Sequence, residues 1–239
     1  REGRLLRPTL RSLDAAIDVV RHEHGDVQVI VVCDKADEQT LAQARSWAEA
    51  RQSTGVTAST IEVSLGESGA ARNAGADVAE GVFVAFVDGD DLVSERFLAD
   101  AVSLLSREDV PTVMHPETVL SFGARSLLWH VDSARASDID YRDLLRHNLW
   151  PSCGVMRRTT ARTHPYLSFP PEDGFGPEDW IWNIATTAAG VVHDTVPDSL
   201  FFYRVRGNGG VNDRHSGSLL PPFDLPALLD DLQALLQPV

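Results

Sequence analysis

The chain has 239 residues, 43% of them hydrophobic, enough to bury a full core as one large α/β domain or two tightly joined lobes. Its formal net charge of −14 argues against a nucleic-acid partner, because phosphate backbones require clustered Lys and Arg. No apolar run approaches the roughly 18 residues of a membrane span and no signal peptide opens the chain, so a cytoplasmic protein is expected, meeting the inner face of a membrane only through partners.

From Leu5 to Val20 the apolar residues Leu10, Leu13, Ile17 and Val20 recur at helical spacing, with Gly25 as a stop. His22 and His24 flank Glu23 at that helix end, without further ligands for a metal. Val27 to Val32 reads as a buried strand and delivers Cys33, Asp34 and Asp37 at its carboxyl end. Asp37 suits an N-cap, whereas Asp34 suits a hydrogen bond to a base imide or a ribose hydroxyl. Cys33 and Cys153 both lie in apolar, strand-like stretches, as buried reduced thiols do.

Thr57 to Leu65 alternates towards a third strand, and Ala70 to Ala76 is a helix of small residues carrying Arg72. Arg72 can pair with a phosphate or with nearby carboxylates. The stretch from Gly81 to Asp91 follows: six apolar residues, Val82 to Val87, then Asp88, Asp90 and Asp91 around Gly89. An unbroken apolar run between glycines reads as a strand buried on both faces of a parallel sheet. Ligands of open α/β sheets sit beyond the carboxyl ends of the strands. Crowded carboxylates repel unless a cation or a proton relieves them, and a hard divalent ion is the usual relief. An acidic turn capping the helix near Ser94 is the alternative, and Asp91 fits that cap. Phe97 to Leu105 is strongly amphipathic, so strand and helix alternate up to about Ser106 as in a parallel sheet with flanking helices.

Beyond Val110 the pattern changes. Val113 to His115, Thr118 to Leu120 and Ser126 to Trp129 read as short hairpin-like strands, and a short helix covers Tyr141 to Asn148. Ser152 to Met156 returns as a strand. The Pro- and Gly-rich stretch from Thr159 to Gly176 reads as a long loop and a lid candidate. It leads into a helix opened by Glu178 and Asp179, with Trp180 and Trp182 offering flat surfaces to a sugar ring. The paired carboxylates are either dipole partners of the helix start or a base at the rim of a pocket. Phe201 to Arg206 is strand-like and breaks into a glycine-rich loop with His215. A leucine stripe from Leu225 to Leu236 suits a last helix packed on the domain or on a partner subunit.

Taken in order, these features are more specific than any one alone. Val31-Val32-Cys33-Asp34, Ala71-Arg72-Asn73-Ala74-Gly75, Phe86-Val87-Asp88-Gly89-Asp90-Asp91 and Glu178-Asp179-Trp180 resemble the ordered motifs of a family-2 glycosyltransferase of the GT-A fold over nearly the whole length. The resemblance implies a Rossmann-like, mostly parallel sheet flanked by helices, with a nucleotide-sugar half over residues 1–106 and an acceptor half over residues 107–239. It implies a UDP- or dTDP-sugar donor and inverting transfer to a hydroxyl of a glycan or other acceptor, in cell-surface polysaccharide synthesis. Asp34 is implied at the nucleobase, Asp88 at the ribose or the metal shell, and Asp90 at a Mn²⁺ or Mg²⁺ ion on the diphosphate. Arg72 is implied near that diphosphate, and Asp179, beside Glu178, as the catalytic base. Tyr203-Arg204-Val205-Arg206 resembles a late Tyr-Arg-x-His stretch, with Arg206, or His215 further on, in place of the His. The family's opening strand is not found, which implies a truncated chain. Two rival classes are a sugar nucleotidyltransferase, which needs a basic glycine-rich loop after its first strand, and a non-catalytic nucleotide-sugar-binding module.

Overall fold

The computed structural model describes residues 3–136, 139–168 and 176–207, and the statements below concern those residues. The first half alternates helix and strand: α1 (Leu6–His24), β1 (Gln28–Asp34), α2 (Glu38–Gln52), β2 (Thr57–Val63), α3 (Ser68–Val78), β3 (Phe83–Phe86), β4 (Leu92–Val93) and α4 (Phe97–Leu105). The second half holds β5 (Thr112–Gly123), β6 (Leu128–His130), a 3₁₀ turn at Tyr141–Leu145, β7 (Gly154–Arg157), α5 (Arg158–Thr163), α6 (Glu178–Ala188) and β8 (Val192–Val205). Local chemistry sets several boundaries. Asp37 caps α2 by accepting the Thr40 N–H at 2.8 Å, as its position predicts. The His24 ring meets the Ala99 carbonyl at 2.9 Å, tying the end of α1 to α4.

The strands form two sheets. β1 and β2 run parallel as a pair, and the second sheet has the order β3-β7-β5-β8-β4, with β6 on β5. Within the second sheet only β5 and β8 are parallel. The expectation of a parallel strand buried on both faces at Gly81 to Val87 is therefore corrected. β3 is only four residues long, pairs antiparallel with β7 along one edge, and none of its residues is fully buried. Apolar periodicity reports burial but not strand direction, and an antiparallel partner from the second half satisfies the same pattern. The free edge of β3 faces β1 across a cleft of about 1400 Å³ lined along both strands. The opening strand expected to be missing is not among the described residues, and the two sheets do not pair with one another.

The two short strands read at Val113 and Thr118 are one strand, β5, whose pairing with β8 slips between Pro116 and Thr118. Pro lacks the N–H that an unbroken ladder would need there. Thr159 to Thr163, read as the start of a loop, lie in helix α5, and Tyr166 after it is 6% exposed. Residues 169–175 of that lid candidate lie outside the described residues, as do His215 and the leucine stripe.

The main core gathers Phe97, Leu105, Met114, Trp150, Ile184 and Phe201 beneath the second sheet. Both cysteines are free and buried. Within this core His115 and His193 stack on Trp150 and form a hydrogen-bonded chain. His115 Nδ1–H donates to the Cys153 carbonyl at 3.0 Å, so with neutral rings its Nε2 accepts from His193 Nδ1–H at 2.9 Å, while Thr186 Oγ1, which also contacts the Trp182 carbonyl at 2.7 Å, lies 2.9 Å from His193 Nε2. Burial pushes His115 down to about 4 and His193 well below the ordinary imidazole value. An unfolded chain binds protons at these rings below about pH 6.5 and the folded chain does not, so stability is present above that pH and lost as pH falls towards 4. Urea unfolding at pH 7.5 and pH 5 is expected to differ by roughly 2 kcal/mol from His115 alone.

Candidate active site

The site forms where the acidic ends of β1 and β3 meet the amino end of α6 and the carboxyl end of β8. At the end of β1, Asp34 accepts the N–H groups of Leu65 at 2.7 Å and Gly66 at 2.6 Å, which binds the loop from β2 to α3 across the cleft mouth. Gly66 turns there with φ +82°, a region open to glycine. Asp34 and Arg72 both line the cleft.

Helix α3 approaches its neighbours closely because its residues are small. A Cβ added to Gly69 would stand 2.9 Å from the Tyr166 Cβ, so only glycine permits this packing. The closeness seats Arg72, 8% exposed, over the Tyr166 ring at 5.2 Å to the centroid. Its Nη2 donates to both Asp88 oxygens at 2.8 and 2.9 Å, and its Nη1 donates to Glu178 Oε1 at 2.8 Å. Burial works against the charge of Arg72, but Asp88, Glu178 and Asp179 overcome it and raise its pKa well above the ordinary value. Arg72 thus joins the carboxylates of β3 to those of α6, the pairing with nearby carboxylates allowed by the sequence. Asn73 fastens Tyr166 with two bonds, Nδ2 to the Tyr166 carbonyl at 2.8 Å and Oδ1 from its N–H at 2.9 Å.

The turn after β3 is held from three sides. Thr9 of α1 donates to the Gly89 carbonyl at 3.1 Å, Ser152 reaches Asp88 Oδ2 at 3.4 Å, and the Arg204 N–H donates to Asp91 Oδ1 at 2.7 Å. Asp91 is 1% exposed and does not cap α4, whose N-cap residue is Arg96, without a side-chain cap bond. The capping role read for Asp91 is therefore corrected: its carboxyl anchors β8 to the acidic turn. Burial, with Asp88 and Asp90 beside it, pushes Asp91 up to about 9. Its Oδ2 has no hydrogen-bond partner among the described residues. Asp90 accepts from Arg206 at 2.8 Å from Nε and pairs with its Nη2 at 2.6 Å.

At the start of α6, burial raises the Glu178 carboxyl while Arg72 outweighs it, leaving the pKa below the ordinary carboxylate range. Asp179 has no ion-pair partner of that kind. Burial first, and Glu178 second, raise it to about 7. Its Oδ1 accepts the Trp180 N–H at 2.9 Å and its Oδ2 accepts Asn148 Nδ2 at 3.1 Å. Asp179 is half-buried and, unlike Glu178, is not among the residues lining the cleft.

Trp182 corrects the expectation of an exposed sugar platform. Trp182 is 3% exposed, stacks on Tyr166 at 5.0 Å and donates its indole N–H to the His164 carbonyl at 2.7 Å. Trp180 packs against the main core and donates to the Leu144 carbonyl at 2.6 Å. Helical phase turns Trp182, with Ile181 and Ile184, inward. Sequence reasoning missed Asn148, Asn183, Tyr166 and Ser152, which carry no local motif.

A divalent cation can be weighed here on charge and donor chemistry. Asp88, Asp90 and Glu178 face the guanidinium groups of Arg72, Arg204 and Arg206, while Asp91 and Asp179 add negative charge whenever they ionise. The cluster therefore carries no surplus positive charge with which to draw in a diphosphate. A hard cation would supply it, and the oxygen donors of Asp88 and Asp90 suit Mn²⁺ or Mg²⁺. Among the described residues no group of three or more His, Cys, Asp or Glu could hold a metal ion by itself. The residues present fit a cation whose coordination is completed by a ligand's own oxygens.

Comparison with known proteins defines the class. The architecture is similar to that of residues 1–349 of S. aureus TarS in complex with UDP-GlcNAc, with a TM-score of 0.65 and 17% identity over 96% of this chain and 62% of that one. It is also similar to a longer S. aureus TarS structure, at 0.61 and 20% over 85% and 35%, and to GalNAc-T7 with UDP, GalNAc and Mn²⁺, at 0.52 and 13% over 88% and 48%. The fold is the α/β GT-A fold, with its two sheets flanked by helices. Residues 1–163 match glycosyl transferase family 2, and the chain belongs to that family. The chain spans less than two thirds of the TarS chains it resembles. A sequence comparison with curated proteins gave no match. No helix among the described residues is long and apolar enough to cross a membrane.

Proposed function

We propose that this chain moves a sugar from a UDP- or dTDP-type nucleotide diphosphate sugar to a hydroxyl of a glycan or other acceptor, with inversion at the anomeric carbon. The observation that carries this reading is the convergence of Asp34, Arg72, Asp88, Asp90, Glu178 and Arg206 on one cleft. Family membership and the UDP-containing neighbours support a nucleotide-sugar donor, and cell-surface polysaccharide synthesis is the setting in this reading.

Residues 1–106 form the donor half in this reading. Asp34, at the cleft mouth, takes the base imide through lone pairs not used by Leu65 and Gly66. Asp90, with Asp88, would hold a divalent cation, which would supply positive charge to the leaving diphosphate. Arg206, on leaving Asp90, adds positive charge there, and Arg72 holds Asp88 in place. Residues 107–239 supply the acceptor side. Glu178, ion-paired to Arg72, stays ionised and engaged. Asp179 has the affinity suited to a proton acceptor near neutral pH. It takes the acceptor's hydroxyl proton as the oxygen bonds to the anomeric carbon. The bond from that carbon to the diphosphate breaks, and the nucleotide diphosphate leaves with the electron pair.

Calorimetry with UDP in the presence and absence of Mn²⁺ tests donor binding. Saturable binding strengthened by Mn²⁺ supports the reading, and no UDP binding under either condition contradicts it. Chelation with EDTA is expected to lower transfer by about 10²-fold or more, with Mn²⁺ or Mg²⁺ restoring it.

A further inference from the structure

Asp179 does not stand alone on α6. One helical turn later, on the same face, lies Asn183, 2% exposed. Its Nδ2 has two hydrogens. One goes to the Trp150 carbonyl at 2.8 Å and the other to Asn148 Oδ1 at 2.7 Å. A carbonyl only accepts, so the Asn183 amide cannot be reversed without setting its Oδ1 against the Trp150 oxygen. That orientation dictates the next one. Asn148 must turn its oxygen to Asn183 and its Nδ2 to Asp179 Oδ2, 3.1 Å away.

We propose that Asn148 is a positioning residue for Asp179, presenting an N–H to its carboxylate in an orientation set by Asn183 and the backbone of Trp150. The inference rests on reading Asp179 as the base. Asn148 has two effects there. It fixes the carboxylate rotamer together with the Trp180 N–H, leaving defined lone pairs for the incoming proton. It also favours the ionised form, the one able to act as base, against burial. The other charged or titratable groups facing Asp179 are Glu178 on the same helix, Arg72 from α3, Asp88 beyond β3 and the Tyr166 phenol after α5. Of these only Arg72 favours the carboxylate, and its bonds go to Asp88 and Glu178. Asn148 is therefore the one side chain among the described residues that donates a hydrogen bond directly to Asp179.

The test is the pH dependence of transfer in the wild-type protein and in Asn148→Ala and Asn148→Asp. The wild-type rate should fall on the acid side through about pH 7. In Asn148→Ala that limb should move up by about one pH unit, with kcat at pH 7 lowered five- to tenfold, roughly, and donor KM changed less than about twofold. Asn148→Asp should move it further, because an acceptor-only carboxylate replaces the donor. An unmoved acid limb with normal kcat in Asn148→Ala would overturn the proposal. Should Asn148→Ala fail to unfold cooperatively, Asn148→Ser carries the same comparison. Asp179→Asn separates the two readings: if it retains turnover the base assignment fails, whereas if it is inactive while Asn148→Ala is normal, only the positioning role fails.

Discussion

Asp179→Asn is expected to lower transfer by about 10³-fold while UDP binding is retained. The amide keeps the size of the side chain and its oxygen can still accept the Trp180 N–H, so α6 begins as before, but its NH2 then meets Asn148 Nδ2 and that hydrogen bond is lost. What it loses is the capacity to take a proton from the attacking hydroxyl. Glu178 cannot substitute, because Arg72 holds its carboxylate at 2.8 Å and depresses its proton affinity. Glu178→Gln should behave differently. It releases one arm of Arg72, and its effect should appear in donor affinity and stability as well as in rate. Steady-state kinetics of both variants beside UDP calorimetry distinguish these outcomes, and near-normal turnover in Asp179→Asn would remove the base assignment.

Arg72→Met is expected to be the most destabilising substitution at the site. Arg72 is buried and bridges two carboxylates brought together from β3 and α6. Methionine fills much of the volume but leaves Asp88 and Glu178 facing each other without compensation. Removing one partner of a buried ion pair typically costs 3–5 kcal/mol. Asp88 retains 37% of its side-chain exposure, so water offsets part of this, and a loss of about 3 kcal/mol is expected. Arg72→Lys keeps the charge but not the fork that reaches both carboxylates, and should recover about half of the loss. Urea unfolding of the three proteins at pH 7.5 measures the series. Equal stability of Arg72→Met and the wild type would mean that the bridge contributes nothing net.

The features legible in the sequence were those encoded locally. Asp34 and Asp88 each follow an apolar run, and Asp37 precedes a helix, so strand ends and caps could be placed without knowing the fold. The structure brings Asp34, Arg72, Asp88, Asp90, Glu178 and Arg206 to one cleft from five separate segments. The direction of β3 was not legible, because its partner β7 lies some seventy residues later and apolar periodicity carries no sign of strand polarity. Trp182 was misplaced for a related reason: the Glu-Asp-Trp order marks a helix start, whereas burial depends on the phase of α6 against Tyr166 and His193. Asn148 and Asn183 carried no signal, since an amide acquires its role from the groups it faces. The pairing of Asp90 with Arg206 had the same character. The sequence placed both near a diphosphate but not against each other.

The central claim is that this cleft carries out inverting transfer. Its most direct measurement is ¹H NMR of UDP- and dTDP-sugars incubated with the protein, Mn²⁺ and a hydroxyl acceptor. Release of the nucleotide diphosphate together with a product of opposite anomeric configuration is the predicted result. Retained configuration, or nucleotide binding without any consumption of donor, would contradict it.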